Sequence, residues 1–135
     1  MLDIKSKLRR IRSLNQEINA CIAERQSLYN SFLKSPQLKS DYVHGGKQVS
    51  LEDKYLKVIE MGEEINRKVD QLIDLKIEVS HLIDQLEDVR YRNVLRSYYL
   101  TEKTWEQVAV DNHWSYQHTM RLHGQALKEL QEEIK

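Results

Sequence analysis

One cysteine, one proline, one phenylalanine and four glycines are spread over 135 residues. A lone Cys21 excludes an internal disulfide, and with it the stapled scaffolds of small secreted proteins. A reducing, cytoplasmic setting is the expectation, with Cys21 a small hydrophobe rather than a nucleophile. So few prolines and glycines leave little turn chemistry for a many-stranded β fold and favour long helices. No apolar run approaches the roughly eighteen residues that read as a membrane span. The opening MLDIKSKLRRIRSLNQEI mixes charge with apolar residues and does not read as a secretory signal. No glycine-rich phosphate loop is present. His113, His118 and His123 stand five apart, awkward for one helical face, with no Cys or carboxylate at ligand spacing. Neither a metal, nor another cofactor, nor an enzymatic site is therefore expected.

Net charge is zero, but its distribution is uneven. Residues 1–34 carry seven Lys/Arg against three Asp/Glu, residues 35–87 seven against eleven, and residues 88–135 seven against seven. The first two segments have opposite sign and suit pairing along their length, within one chain or between two. The balance of the third segment does not advertise non-specific nucleic-acid binding, because phosphate neutralisation supplies most of that affinity. The basic run Lys5, Lys7, Arg9, Arg10 and Arg12 reads either as a solvated helix face or as a contact to DNA backbone or an acidic surface.

The apolar pattern divides the chain at 87/88. Ile4, Leu8, Ile11, Ile18, Ile22, Tyr29 and Phe32 form one stripe, interrupted by Asn15 and Arg25 and widened by Leu14 and Leu28. This spacing predicts a helix from about 3 to 34. Pro36 and Gly45-Gly46 mark residues 35–49 as a loop, after which Ser50 resembles an N-cap with Asp53 in the first turn. A second stripe, Leu51, Tyr55, Val58, Ile65, Val69, Leu72, Val79, Leu82 and Leu86, predicts another long helix interrupted by Gly62. A helix of that length with one apolar stripe needs a partner: the first helix, giving a long antiparallel, coiled-coil-like hairpin, or a second copy of the protein. Polar Asn15, Asn66 and Gln71 near the seam are expected to fix its register.

Residues 88–135 read as a small helical head. Asp88 is placed to cap a helix over Val89 to about Leu100, followed by a polar connection, Thr101-Glu102-Lys103. Thr104 with Gln107 three residues on has the form of a capping box. The helix 105–111 sends Trp105, Val108 and Ala109 inward, the alanine allowing a helix to cross closely. Asp111-Asn112-His113 forms the turn, Trp114 anchors it, and Ser115 caps the last helix. In that helix Thr119, Leu122, Ala126, Leu127 and Leu130 face a core, with Ile134 extending the edge. Tyr116, Gln117, Met120, Arg121, Gly124, Gln125 and Lys128 face away. The pattern fits a helix-turn-helix whose second helix is placed to enter a major groove, though any small helical domain presents a similar one, with Tyr116 and Met120 then packing on the stalk or lying on ordinary surface.

The segment LEDVRYRNVLRSYYLTEKTWEQVAVDNHWSYQHTMRLHGQALKELQ resembles region 4 of the sigma-70 family, which reads the −35 promoter element. The similarity is carried by Asp88, Tyr91-Arg92, Tyr99, Leu100, Thr104, Trp105, Val108 and Ala109, then by Tyr116, Leu122, His123, Ala126 and Leu127. It looks closest to small phage and prophage regulators with such a region behind a helical part. Where region 4 carries Ser-Arg-Glu-Arg at the recognition helix, this chain has Ser115-Tyr116-Gln117-His118. The helix start is kept and the charged base-reading residues are replaced. No sigma region 2 is visible, so opening promoters alone is not expected.

The resemblance implies an all-α fold, a helical oligomerisation stalk over 1–87 and a DNA-binding domain over 88–135. The expected function is sequence-specific binding of double-stranded DNA by a phage-type transcriptional regulator, acting as a homodimer, with no membrane partner. Tyr116, Gln117, Met120 and Arg121 are expected to meet bases. Lys103, Thr104, His113 and Lys128 are expected at or beside phosphate, with Ser115 and His118 completing the helix start. The competing expectation is a protein-interaction module that docks on RNA polymerase holoenzyme subunits or a sigma or anti-sigma partner without DNA specificity of its own.

Overall fold

The computed structural model describes residues 3–34 and 51–133. The expected loop over 35–49, the Ser50 cap and the edge residue Ile134 lie outside the described residues. Among the described residues the fold is all α, without a strand. Helix α1 spans Ile4–Lys34 and α2 spans Leu51–Ile83. Helix α3, Val89–Leu95, continues into a π-helical turn at Arg96–Leu100. Helices α4, Trp105–Asp111, and α5, Tyr116–Glu133, complete the order. None of these helices is long and apolar enough to cross a membrane.

Local chemistry explains where the elements begin. The Asp3 carboxylate accepts the Ser6 amide at 2.7 Å and closes the first turn of α1. Glu52 and Asp53 sit in the first turn of α2, where acid offsets the helix dipole. Asp88 caps α3 by accepting the Arg90 amide at 2.8 Å and also holds the Arg90 guanidinium, which keeps its carboxyl below the usual carboxylate range. Helix α2 stops at Ile83, so Leu86 leaves the helix that its stripe predicts, yet it remains buried. The Arg92 guanidinium fastens this junction by donating to the Leu86 and Glu87 carbonyls at 2.6 and 2.9 Å.

The chain packs as two compact units, Met1–Asn15 with Gln71–Lys135, and Gln16–Asp70. The expected break at 87/88 coincides with the Asp88 cap, whereas packing groups the first turns of α1 and the last turns of α2 with the head. In that larger unit Ile4, Leu8, Ile11 and Leu14 of α1 are buried, as are Leu72, Val79 and Ile83 of α2. Lys7 pairs with Glu78 across the two helices at 2.8 Å. Helix α5 packs against α3 and α4 through Thr119, Leu122, Ala126 and Leu130, a stripe at three- and four-residue steps, all buried. Buried Val94, Leu95, Val108 and Ala109 come from the two shorter helices. The Thr119 hydroxyl donates to the Ser115 carbonyl at 2.9 Å, so its burial leaves no polar atom unsatisfied.

In the smaller unit, 16–34 and 51–70 run antiparallel. Glu17 meets Lys68, Arg25 meets Val58, and Phe32 meets Tyr55, so partners climb in one helix as they descend in the other. Arg25 interrupts the apolar stripe of α1 and Gly62 that of α2, and the two interruptions meet. The Arg25 Nε donates to the Val58 carbonyl at 3.1 Å, and its guanidinium lies where a Cβ on Gly62 would come within 3.3 Å. A large cation therefore crosses at the residue with no side chain. This pairing, with the Glu17–Lys68 bridge, marks the register here; Asn66, expected to do so, is exposed.

Candidate nucleic-acid interface

Helix α4, a short turn and α5 form the candidate site, and its turn is held by hydrogen bonds at every step. The Thr104 hydroxyl accepts the Gln107 amide at 3.2 Å while the Gln107 side chain accepts the Thr104 amide at 2.9 Å, a complete capping box. At the other end of α4 the His113 amide donates to Val110 at 3.2 Å and the Trp114 amide to Ala109 at 2.9 Å. These are the two bonds of a Schellman motif, and its left-handed residue is His113, with φ 59°. The Asn112 side chain adds a bond to the Val108 carbonyl at 2.8 Å. Ser115 then opens α5, its hydroxyl accepting the His118 amide at 3.0 Å.

Behind this turn lies an aromatic cluster. Tyr98 stacks on Trp105 with ring centroids 3.6 Å apart and planes 9° from parallel. The Arg12 guanidinium lies 3.9 Å from the Tyr98 ring centre and donates to the Tyr98 carbonyl at 2.8 Å, so the ring is held between an indole and a cation. The neighbouring Tyr99 hydroxyl shares a 2.7 Å hydrogen bond with His123 Nε2 on α5, and the His123 ring lies 4.5 Å from Trp105. Burial pushes the Tyr99 phenol up to about 12 and the His123 imidazole down to about 4, so both are neutral near pH 7.

The π-helical turn presents these two adjacent tyrosines to different partners. The Thr101 amide reaches the Arg96 carbonyl, five residues back, at 2.9 Å, and the Lys103 amide reaches Ser97 at 3.0 Å. Glu102 then takes φ 65°, redirecting the chain into α4. The sequence anticipates a continuous helix to Leu100. The structure places a wider last turn there because Tyr98 stacks on Trp105 while Tyr99 reaches α5.

Many of the expected site residues have structural work. Lys103 holds Asp111 at 2.5 Å, tying the chain before α4 to the helix's last residue. Thr104 and Ser115 are caps. His113 is the exposed left-handed turn residue. His118 packs against the edge of Trp114, with ring centroids 5.7 Å apart. Met120 is half-buried. Tyr116 is 50% exposed at the start of α5. Gln117, Arg121 and Lys128 are exposed and share one stripe with Gly124, at steps of four, three and four. A Cβ on Gly124 would meet nothing within 4 Å, so packing inside the head does not require glycine there. Gln125 is engaged by the Tyr91 hydroxyl at 3.3 Å. Among the described residues, no group of three or more His, Cys, Asp or Glu is placed to hold a metal ion.

A family model described as "Protein of unknown function (DUF1492)" matches residues 32–131, about three quarters of the chain. The chain belongs to the DUF1492 family. No curated protein and no solved structure matches it. The DUF1492 match takes in α2, α3, α4 and nearly all of α5, and so the complete candidate interface. Arg12, which clasps Tyr98, lies before the matched span.

Proposed function

We propose that this DUF1492 chain is a sequence-specific DNA-binding regulator of transcription, of phage or prophage type, and not an enzyme. The observation that carries the reading is the geometry of α4 and α5. Two helices joined by a tightly bonded turn leave Gln117, Arg121, Gly124 and Lys128 on one open stripe of the second helix. That stripe covers about 16 Å of helix at 1.5 Å per residue, a length suited to a major groove. Gln117 can donate to and accept from adenine, and Arg121 can make two bonds to guanine. Lys128 would meet phosphate, and the bare Gly124 backbone admits close approach by a phosphate or sugar. The resemblance of the head to sigma region 4, following two long helices in the sequence, supports the same reading. Residues 88–135 are neutral overall, so a homodimer that doubles the phosphate contacts is part of the proposal.

A second reading, docking on an RNA polymerase subunit or a sigma or anti-sigma partner, is favoured by the balanced charge of residues 88–135, and Val110 is the apolar side chain of α4 that such a partner would cover. This residue is 70% exposed at the end of α4. Repeated selection of random duplex DNA on the purified protein, at near-physiological salt, separates the two. An enriched motif that is lost in Arg121→Ala supports direct reading of DNA. A flat selection, together with retention of the protein by polymerase or sigma subunits that Val110→Asp abolishes, overturns it in favour of docking.

A further inference from the structure

The two sides of the 16–70 unit differ in chemistry. On one side, α2 presents Asp53, Lys57, Glu60, Glu64 and Arg67 at steps of four, three, four and three, every position charged. Glu64 holds Arg67 at 2.5 Å, and Lys68 bridges Glu64 at 3.3 Å and Glu17 of α1 at 3.2 Å. On the other side, α1 presents Asn19, Ile22, Gln26, Tyr29 and Leu33 at steps of three, four, three and four, with no charge among them. The neighbouring stripe of α2, Tyr55, Ile59, Gly62 and Asn66, is also uncharged. Between them runs a groove of about 360 Å³, floored by Val58 and crossed by Arg25.

This uncharged side is apolar where a monomer would bury or charge it. Ile22 and Tyr29 lie on the pairing stripe itself, yet Ile22 is 48% exposed; Leu33 is 61% and Ile59 53% exposed. The unit's buried apolar core is only Ile18, Val58 and Ile65 among the described residues. Such a core is small for a helix pair of this length.

We infer that the uncharged side of the 16–70 unit is the docking surface for a second copy of this chain. Two features select that occupant. The polar groups are mostly amides, Asn19, Gln26, Asn30 and Asn66; Gln26 Nε2 donates to Asn30 Oδ1 at 3.1 Å, which leaves the Gln26 oxygen as an acceptor and the Asn30 amide nitrogen as a donor. This side can therefore pair with its own copy across a two-fold axis, whereas Glu64, Arg67 and Lys68 on the other side already pair within their own chain. The Arg25 guanidinium, whose Nε is taken by Val58, keeps its remaining donors for the amide oxygens of the facing copy. The area also suits a dimer. Ile22, Tyr29, Leu33, Leu51 and Ile59 expose on the order of 500 Å² of side chain, and the flanking amides bring this towards the roughly 800 Å² per partner of a standard interface. The docking deepens the homodimer of the proposed regulator, but it is measured without DNA, so its failure and the failure of DNA reading are told apart.

The test is sedimentation equilibrium of the full chain from 1 to about 100 μM, with far-ultraviolet circular dichroism to follow helicity. A dimer is expected for the parent chain. Ile59→Glu and the milder Gln26→Glu, which alters an exposed residue whose one bond is to Asn30 of its own helix, are expected to raise the dimer dissociation constant at least tenfold at unchanged helicity. Leu56→Glu removes an equally exposed apolar residue outside the uncharged stripes and is expected to leave the dimer intact. A parent chain that is monomeric throughout overturns the inference. So does a dimer that tolerates Gln26→Glu and Ile59→Glu, which would place the interface elsewhere.

Discussion

At the residue scale, two positions do work against their own side chains. His113 and Glu102 occupy the left-handed region that glycine enters freely. The capping bonds around them over-determine that conformation, and the cost of holding a non-glycine residue there is about 1 kcal/mol. His113→Gly is expected to stabilise the protein by about 0.5–1 kcal/mol, read from thermal or urea unfolding. Destabilisation would show that the imidazole contributes to the folded state. Gly124 is the converse case, a residue of poor helix propensity in the exposed middle of α5 with open space above it. Gly124→Ala is expected to stabilise by about 0.8–1 kcal/mol in unfolding experiments and, on the proposed DNA-binding reading, to weaken binding several-fold in a titration. Unchanged binding would mean that nothing approaches that backbone closely.

At the element scale, the clasp on the π-helical turn fastens the first turns of α1 to the head within one compact unit. Arg12 contributes a stacked cation and a hydrogen bond to a backbone carbonyl. Its replacement by alanine is expected to cost about 1.5–3 kcal/mol, measured by denaturant unfolding with the fluorescence of Trp105 and Trp114 as one probe. Arg12→Lys should recover little of this, since an ammonium lacks the planar face that lies on Tyr98. Full recovery by lysine would reduce the clasp to simple charge. The heptad-like stripes of α1 and α2, the Thr104 box and the Asp88 and Ser115 caps were all legible in the sequence, because spacing and cap chemistry are local signals. The π-helical turn was not. Tyr98 and Tyr99 read as ordinary members of a helical face until Trp105 and His123, from other helices, are placed beside them. The Arg25–Gly62 pairing was half legible: each residue interrupts its stripe, and only the antiparallel register brings the interruptions together. At the candidate interface, the residues facing away from the core followed from periodicity. That Lys103 spends its charge on Asp111 did not, because a salt bridge eight residues apart depends on the turn between.

At the scale of the whole molecule, the Tyr99–His123 pair links stability to pH. Burial lowers the His123 pKa from its ordinary 6.5 to about 4. The unfolded chain therefore binds a proton that the folded chain refuses throughout that interval. Stability that is complete above about pH 6.5 is expected to decline as the pH falls towards 4. Denaturation midpoints at pH 7, 6, 5 and 4.5 should show this decline. His123→Gln, which keeps an acceptor for the Tyr99 hydroxyl but cannot titrate, should flatten it; an unchanged slope would assign the decline to other groups. At the alkaline end, the Tyr99 phenol, raised to about 12, favours unfolding above pH 10 by the same linkage with the opposite sign.

The antiparallel register of the 16–70 unit also makes its length adjustable. Its apolar stripes step by four and three and so repeat every seven residues in sequence, which lets a segment be excised from both helices at one level with the residues beyond the cut kept in phase. Removing 19–25 from α1 and 60–66 from α2 takes out Arg25 and Gly62 together. The contacts of Glu17 with Lys68 on one side of the cut, and of Phe32 with Tyr55 on the other, are left in phase. The product should be shorter by about 10 Å, two helical turns, and less stable than the parent, because the cut takes the buried Ile65 with it. Such a part behaves as a graduated ruler, trimmed in whole steps while the helices at its ends keep their meeting points.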